Sequence, residues 1–320
     1  MSAQPSEKAS AVSPLLAFEI EVVALTRLSP HFLRVTFGGD DLAGLDDGGH
    51  LGPRDLRVKL MFASPGFALP DFGDLSGGWY SQWLAMDPAR RGSMRTYTIR
   101  AARVRGDRPP QIDIDFVLHP GQGPVGPAAR WAADVRVGDR LVLLGPNAAA
   151  ATGGAPPGVE WAPPTGSGVQ VLMVGDETAV PAIGSVLATL PADVRGQALI
   201  EVPDAADVLD LATAARVDVR WCVRGERPRG QALSELVRTG LASADVGVSP
   251  AAAEALPEVD VDEEILWETG EPVADGWYAW LAGEAAMVRD LRRYLVGECG
   301  IDRRRVAFMG YWREGRAESS

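Results

Sequence analysis

The chain has 320 residues, with 43 acidic against 31 basic side chains and a net charge of −12. That balance excludes nucleic acid and anionic membrane as main partners, because both need a broad basic surface. Apolar residues make up 46% of the chain, as in a globular protein, and the length accommodates two domains.

Residues 1–14 are polar and small, with no basic stretch leading into an apolar run. They read as a disordered tail rather than a secretory signal. No apolar run approaches the ~20 residues of a membrane span. The expectation is a cytoplasmic protein without membrane insertion. Cys222 and Cys299 fall in no motif and read as buried small hydrophobes, not redox groups. His31, His50 and His119 have no metal-ligand spacing, so no metal site is expected.

Six short β-branched or alternating stretches follow, with turn residues between them: 18–25, 32–37, 56–62, 94–100, 111–118 and 139–144. They predict a closed antiparallel β-barrel over 15–146, of Greek-key type. The stretch Met94-Arg95-Thr96-Tyr97-Thr98-Ile99-Arg100 carries the chemistry. In a strand, Arg95, Tyr97 and Ile99 share one face and Thr96, Thr98 and Arg100 the other. An arginine fork suits a phosphate, a tyrosine ring stacks on a flat heterocycle, and a hydroxyl can meet a ring nitrogen. Together they fit a flavin dinucleotide, although a four-position motif fits an ordinary barrel strand equally well.

The segment 119–132 (HPGQGPVGPAARWA) places glycines before Pro127. It suits either a diphosphate at a helix start or a plain barrel loop. Lys59 is one of two lysines in the chain, the other being Lys8 in the tail. It stands mid-strand, as a solvent-facing position or as an ammonium directed at an anionic substrate. Seven arginines between 90 and 108 form a basic island in this acidic chain.

Residues 147–168, rich in Gly, Pro and Ala, read as a mobile linker or insert. Beyond them, strands at 169–174, 198–202, 217–223, 277–282 and 305–309 alternate with helices at 182–190, 231–239 and 284–298. The domain 169–315 is therefore expected to be an α/β doubly wound parallel sheet with ligands at its carboxyl edge. It carries a solvated insertion at 241–275 and a tail at 316–320. Two strand ends echo each other, VGDETAV (174–180) and AGEAAMV (282–288). Neither is the glycine fingerprint of a dinucleotide fold. Asp176, Glu177 and Glu284 are expected to repel a diphosphate there, so a nicotinamide would bind differently. Arg224, just past its strand, reads as a phosphate or ribose contact or a plain surface arginine.

Taken in order, VKLMF (58–62), MRTYTIR (94–100), GPVGPAARWA (123–132), VGDETAVPAI (174–183) and AGEAAMV…GYWREG (282–315) resemble the siderophore-interacting proteins. These ferric-siderophore reductases belong to the ferredoxin-reductase-like flavoproteins, and the resemblance spans about residues 18–315. It implies a FAD-binding barrel followed by a ferredoxin-NADP reductase-like nicotinamide domain. By that resemblance the FAD contacts are Arg95, Thr96, Tyr97, Thr98, His119, Gly123, Gly126, Pro127, Ala128, Trp131, Asp176, Thr178, Ala179, Tyr311 and Trp312. The substrate side takes Lys59, Arg313 and Arg100. No side chain is expected to be catalytic in itself, since the flavin carries the redox step. Ala129 replaces the family's hydroxyl residue, which removes one side-chain contact. The implied partners are NADH or NADPH, an anionic (for example catecholate) ferric siderophore, and possibly a ferredoxin. The alternatives are a general flavin- or ferredoxin-linked reductase and a non-catalytic flavin- or siderophore-binding protein.

Overall fold

The computed structural model describes residues 12–69, 71–72, 75, 78–118, 126–164, 166, 168–242, 266–270 and 276–315. His119, Gly123, the tail at 316–320 and most of 241–275 lie outside them.

The front half forms β1 (Leu15–Arg27), β2 (Phe32–Gly38), β3 (Arg57–Phe62), β4 (Ser93–Thr98), β5 (Ala101–Arg103), β6 (Gln111–Val117) and β7 (Arg140–Pro146). They pair in the order β4-β3-β7-β1-β2-β6-β5. Alternation works as the sequence predicts. Ile112, Ile114 and Phe116 are fully buried inside. On the other face Asp115 holds Arg34 at 2.7 and 2.8 Å, and Asp113 holds Thr36 at 2.8 Å.

The strand expected over 94–100 ends at Thr98, and a separate strand begins at Ala101. β4 pairs with β3 and β5 with β6, and only Ile99 and Arg100 separate them. The Ile99 amide donates to the Leu56 carbonyl (2.9 Å) and the Arg100 amide to the Asp113 carbonyl (2.8 Å). The kink carries the chain from one end strand of the sheet to the other, and β4 and β5 share no ladder, so the expected closed barrel is an open half-barrel. Two elements were not foreseen. β5 is too short to give a period, and α1 (Trp79–Ala85) lies in a Gly/Pro-rich stretch. Around α1, Leu75, Trp79 and Trp83 cover the outer face of the barrel at Met61, Met94, Val142 and Leu144. After β6, α2 (Pro127–Asp134) packs Trp131 against Phe37, Phe62 and Phe116.

The expected mobile linker is tied down instead. The Asn147 side chain accepts from the Ala149 amide (2.9 Å), Arg57 donates its amide to Gly158 (3.0 Å), and Trp161 is buried.

The back half comprises β8 (Gln170–Gly175), α3 (Val180–Thr189), β9 (Arg195–Val202), β10 (Arg216–Val223), α4 (Gln231–Ala242), β11 (Trp267–Glu268), β12 (Trp277–Glu284), α5 (Ala285–Arg292) and β13 (Val306–Trp312). The sheet order is β10-β9-β8-β12-β13-β11. All pairs are parallel except β11 with β13. The doubly wound expectation holds, with differences at two places. The helix expected over 284–298 continues past α5 as a π-helical turn, Arg293–Glu298. Residues 266–270 are only partly solvated: Leu266 is buried, β11 caps the sheet edge, and Glu268 pairs with Arg292 at 2.5 Å, while Thr269 is exposed. Cys222 and Cys299 are half-buried rather than buried. Burial, then the charge of Glu201, pushes the Cys222 thiol up to about 12, so it stays protonated.

The two halves share packing. Phe32 of the barrel is fully buried in the α3 face of the second core. Two buried carboxylates work reciprocally across the boundary. Asp55 of the barrel accepts from the amides of Glu160 (3.2 Å) and Trp161 (3.1 Å) and from Trp280 Nε1 (3.1 Å). Asp207 of the second half accepts from Ser29 Oγ (2.6 Å), the His31 amide (3.0 Å) and His31 Nδ1 (2.7 Å).

Candidate active site

In the β3–β4 pairing, Lys59 stands opposite Thr96, Leu60 opposite Arg95 and Val58 opposite Tyr97. Val58 and Leu60 point into the barrel core, whereas Met61 and Met94 lie in the outer cluster. Alternation therefore gives Arg95 and Tyr97 one face and Lys59, Thr96 and Thr98 the other. Lys59 Nζ donates to Thr96 Oγ1 at 2.6 Å. Arg95 Nη1 donates to the Met94 carbonyl at 2.7 Å. The Tyr97 ring rests on Phe116, 4.4 Å between centroids, and on Phe62 at 6.4 Å. Arg95, Thr96 and Tyr97 are half-buried, and Thr98 is 7% exposed.

Gly126 gives α2 no side-chain cap, and a Cβ there would meet nothing within 4 Å among the described residues. An uncapped helix start beside the Arg95 strand fits the diphosphate of a flavin dinucleotide. Pro127 supplies the fixed φ of that first turn. Ala128 and Trp131, in contrast, are packing residues of the barrel mouth.

At the carboxyl edge of the second sheet, Asp176 is fully buried and gathers three strand ends. Its Oδ1 accepts from the Thr178 amide (2.9 Å) and Thr178 Oγ1 (2.5 Å). Its Oδ2 accepts from the Glu284 amide (2.8 Å) and Trp312 Nε1 (2.9 Å). Gly283, at φ +144°, makes this approach possible: a Cβ there would lie 2.7 Å from Asp176 Cγ. Burial, then the neighbouring Glu177 charge, pushes the Asp176 carboxyl up to about 6. Thr178 thus spends its hydroxyl on Asp176, and Ala179 is fully buried at the start of α3. Tyr311 stacks on Trp267 (5.9 Å), which in turn lies under the Arg57 guanidinium (4.1 Å). The buried Tyr311 hydroxyl has no hydrogen-bond partner among the described residues.

Glu177 holds Arg224 at 2.9 and 3.2 Å and Arg229 at 2.6 Å. Arg229 in turn lies over the Trp312 ring, 4.5 Å from its centroid. Burial alone would raise the Glu177 carboxyl, but the Arg224 hydrogen bond and both arginine charges outweigh it and hold it low. Glu201 accepts from Arg224 (3.3 Å), Gly230 N–H (3.0 Å) and Leu233 N–H (3.3 Å). Two expectations change here. Arg224 is neither a free ligand contact nor a surface arginine; it is 8% exposed and locked between two glutamates. The acids at 176 and 177 do not stand as bare charges: Asp176 takes four hydrogen bonds and Glu177 pairs with two arginines.

These residues border a cleft of about 850 Å³ lined by Arg224, Arg227, Arg229, Arg289 and Arg313, with Glu284, Asp290 and Glu314. Arg313, expected beside Lys59, is brought to this cleft. Arg100 is drawn between the halves, where a Cβ on Gly184 of α3 would meet its Nε at 2.9 Å. Arg227, Arg229 and Arg289 were missed in the sequence. The arginines at 224, 227 and 229, directly past a strand, were the available signal.

A barrel strand that presents Arg-x-Tyr-Thr, joined to a parallel sheet with a basic cleft at its carboxyl edge, defines a two-domain flavoprotein oxidoreductase. Comparison makes this specific: residues 21–150 match the siderophore-interacting FAD-binding domain and residues 169–315 the siderophore-interacting protein domain. The chain belongs to the siderophore-interacting protein family. An uncharacterized protein of Mycobacterium tuberculosis is 32% identical, covering 95% of this chain and 92% of its own. The ferric vibriobactin reductase ViuB of Vibrio cholerae is 28% identical over 94% of this chain and 91% of its own. The crystal structure of a siderophore utilization protein from T. fusca is 28% identical, with TM-score 0.65 over 96% of each chain. No helix among the described residues is long and apolar enough to cross a membrane.

Proposed function

We propose that this protein is an FAD-dependent reductase of ferric siderophores, releasing iron as Fe(II) with electrons from NADH or NADPH. The observation that carries the reading is the placement of Lys59, in register with Thr96 and on the face of Thr98. An ammonium pinned by a hydroxyl beside the flavin-binding strand is where an anionic ferric chelate has to come.

FAD, when bound, supplies the conversion between a two-electron hydride donor and a one-electron ferric acceptor. The residues do the positioning. Arg95 and the first turn of α2 hold the diphosphate, Tyr97 stacks on the ring system, and Thr98 offers its hydroxyl to the redox-active edge. Thr96 aims the Lys59 ammonium. Asp176 fixes the Trp312 indole at the domain junction. Ferric iron prefers hard oxygen ligands and the ferrous ion is held less tightly by them, so reduction releases the metal. The chelate is anionic and of catecholate type, in keeping with the Lys59 ammonium.

The test is an anaerobic visible spectrum of the flavin-loaded protein with NADH or NADPH, then a ferric catecholate and a ferrous trap. Bleaching by a nucleotide, followed by recolouring and trapped Fe(II), is the expected result. A yellow protein that no nucleotide bleaches moves the donor to a ferredoxin. Binding of chelate without reduction by any donor leaves a non-catalytic binding protein. Lys59→Ala is expected to raise KM for an anionic chelate about tenfold, about 1.4 kcal/mol of lost attraction, with flavin content unchanged.

A further inference from the structure

Building on the reading that a nicotinamide nucleotide is the donor, we propose that the outer end of the arginine-lined cleft binds a 2′-phosphate, that Arg227 reads it, and that the donor is NADPH rather than NADH.

The direction of the cleft is the first part of the argument. Ligands of doubly wound sheets lie across the carboxyl ends of the strands. Trp312, Thr178 and Glu284 mark the ends of β13, β8 and β12, whereas Arg227 is held at the Val223 and Arg224 carbonyls that end the edge strand β10, and Gln231 and Ser234 stand in the first turn of α4 over β9 and β10. Three strand spacings separate β12 from β10, about 14 Å at roughly 4.8 Å each. A donor must place its nicotinamide toward the flavin domain. The end that reaches β10 is then the adenosine.

The second part is charge. Arg224 and Arg229 are compensated by Glu177 and Glu201, both fully buried. Arg289 is turned to Asp290 at 2.9 Å. Arg227 differs. Its guanidinium donates to the carbonyls of Val223 and Arg224 and meets no carboxylate among the described residues. Those two bonds hold the side chain in place and leave its full charge at the cleft. The neighbouring Glu226 is exposed and does not line the cleft.

The third part is what the helix does not offer. Glu201 already takes the Gly230 and Leu233 amides at the start of α4. Anion recognition at this end therefore falls to side chains. NADH brings a neutral 2′-hydroxyl, which prefers an acidic partner, whereas NADPH brings a dianion, which prefers an arginine fork.

The test titrates the full FAD-loaded chain with adenosine 2′,5′-bisphosphate and with AMP by calorimetry, a readout independent of turnover. The bisphosphate should bind about ten- to a hundredfold tighter than AMP, the range of a charge-assisted hydrogen bond. Arg227→Ala should bring the two ligands together without weakening AMP, and Arg227→Lys should restore part of the preference. Arg227→Gln, whose uncharged amide can still donate to the Arg224 carbonyl, should behave like the alanine variant and so separates lost charge from lost side-chain packing. Equal binding of both ligands to the wild type, or a preference that survives in Arg227→Gln, overturns the proposal. Bleaching of the flavin by NADH and NADPH alike, with equal ligand binding, overturns the NADPH choice and leaves a nicotinamide donor. Bleaching by neither nucleotide overturns the donor reading itself.

Discussion

The barrel strand and the sheet edge both present cations, but they hold them by different means. On the barrel, Lys59 meets a threonine hydroxyl and Arg95 a neighbouring carbonyl, partners one strand or one residue away. At the sheet edge, Glu177 and Glu201, fully buried, lock Arg224 and Arg229 across separations of 23 to 52 residues. The first arrangement desolvates no carboxylate in these two contacts. The second fixes a rigid basic wall at the cost of desolvating carboxylates, which is stable only while every partner is present.

Removing one partner from the sheet edge should therefore give the largest effect. Glu177→Ala leaves Arg229 without its carboxylate and Arg224 with Glu201 alone, and a loss of about 3–5 kcal/mol is expected in denaturant unfolding. A variant within about 1 kcal/mol of wild type would show that solvent, not Glu177, balances those charges.

The next effect concerns pH. The Asp55 carboxyl is pushed up to about 6 by burial, against 3.8 ordinarily. A raised acid binds its proton more tightly in the folded state. Its contribution is fully present below about pH 4 and is lost as pH rises through 6. At about 1.36 kcal/mol per unit, the loss by pH 7 is on the order of 3 kcal/mol. Asp55→Asn should flatten that part of the stability profile between pH 4 and 7. Asp176, pushed up to about 6 as well, adds a loss of the same sign and leaves a residual slope.

The barrel side should respond least in stability and most in ligand retention. Arg95→Ala should keep the melting temperature within a few degrees while weakening FAD about ten- to a hundredfold, measured by flavin release on dilution. Full retention would move the diphosphate to another cation.

The same contrast explains what could be read from the chain. The barrel strands, the Arg95 face and the parallel sheet follow from local alternation and turn residues, and those are legible residue by residue. The roles of Asp176, Glu177 and Arg224 are set by partners distant in sequence. Read alone, acids at a strand end look repulsive to a phosphate; only the fold brings the arginines that pair with Glu177. The linker misled for a related reason. Its composition is that of mobile chain, and it is the distant Asp55 that holds it.

The reciprocal carboxylates, with Phe32 set into the second core, also govern how the molecule comes apart. Asp55 and Asp207 each lie on one side of the boundary and take donors from the other. Separating the halves would strand two buried charges and open a phenylalanine-sized hole at once. The protein should thus melt in a single calorimetric transition, and a fragment beginning at 169 should not fold on its own. Two domains by architecture, it should unfold as one cooperative unit.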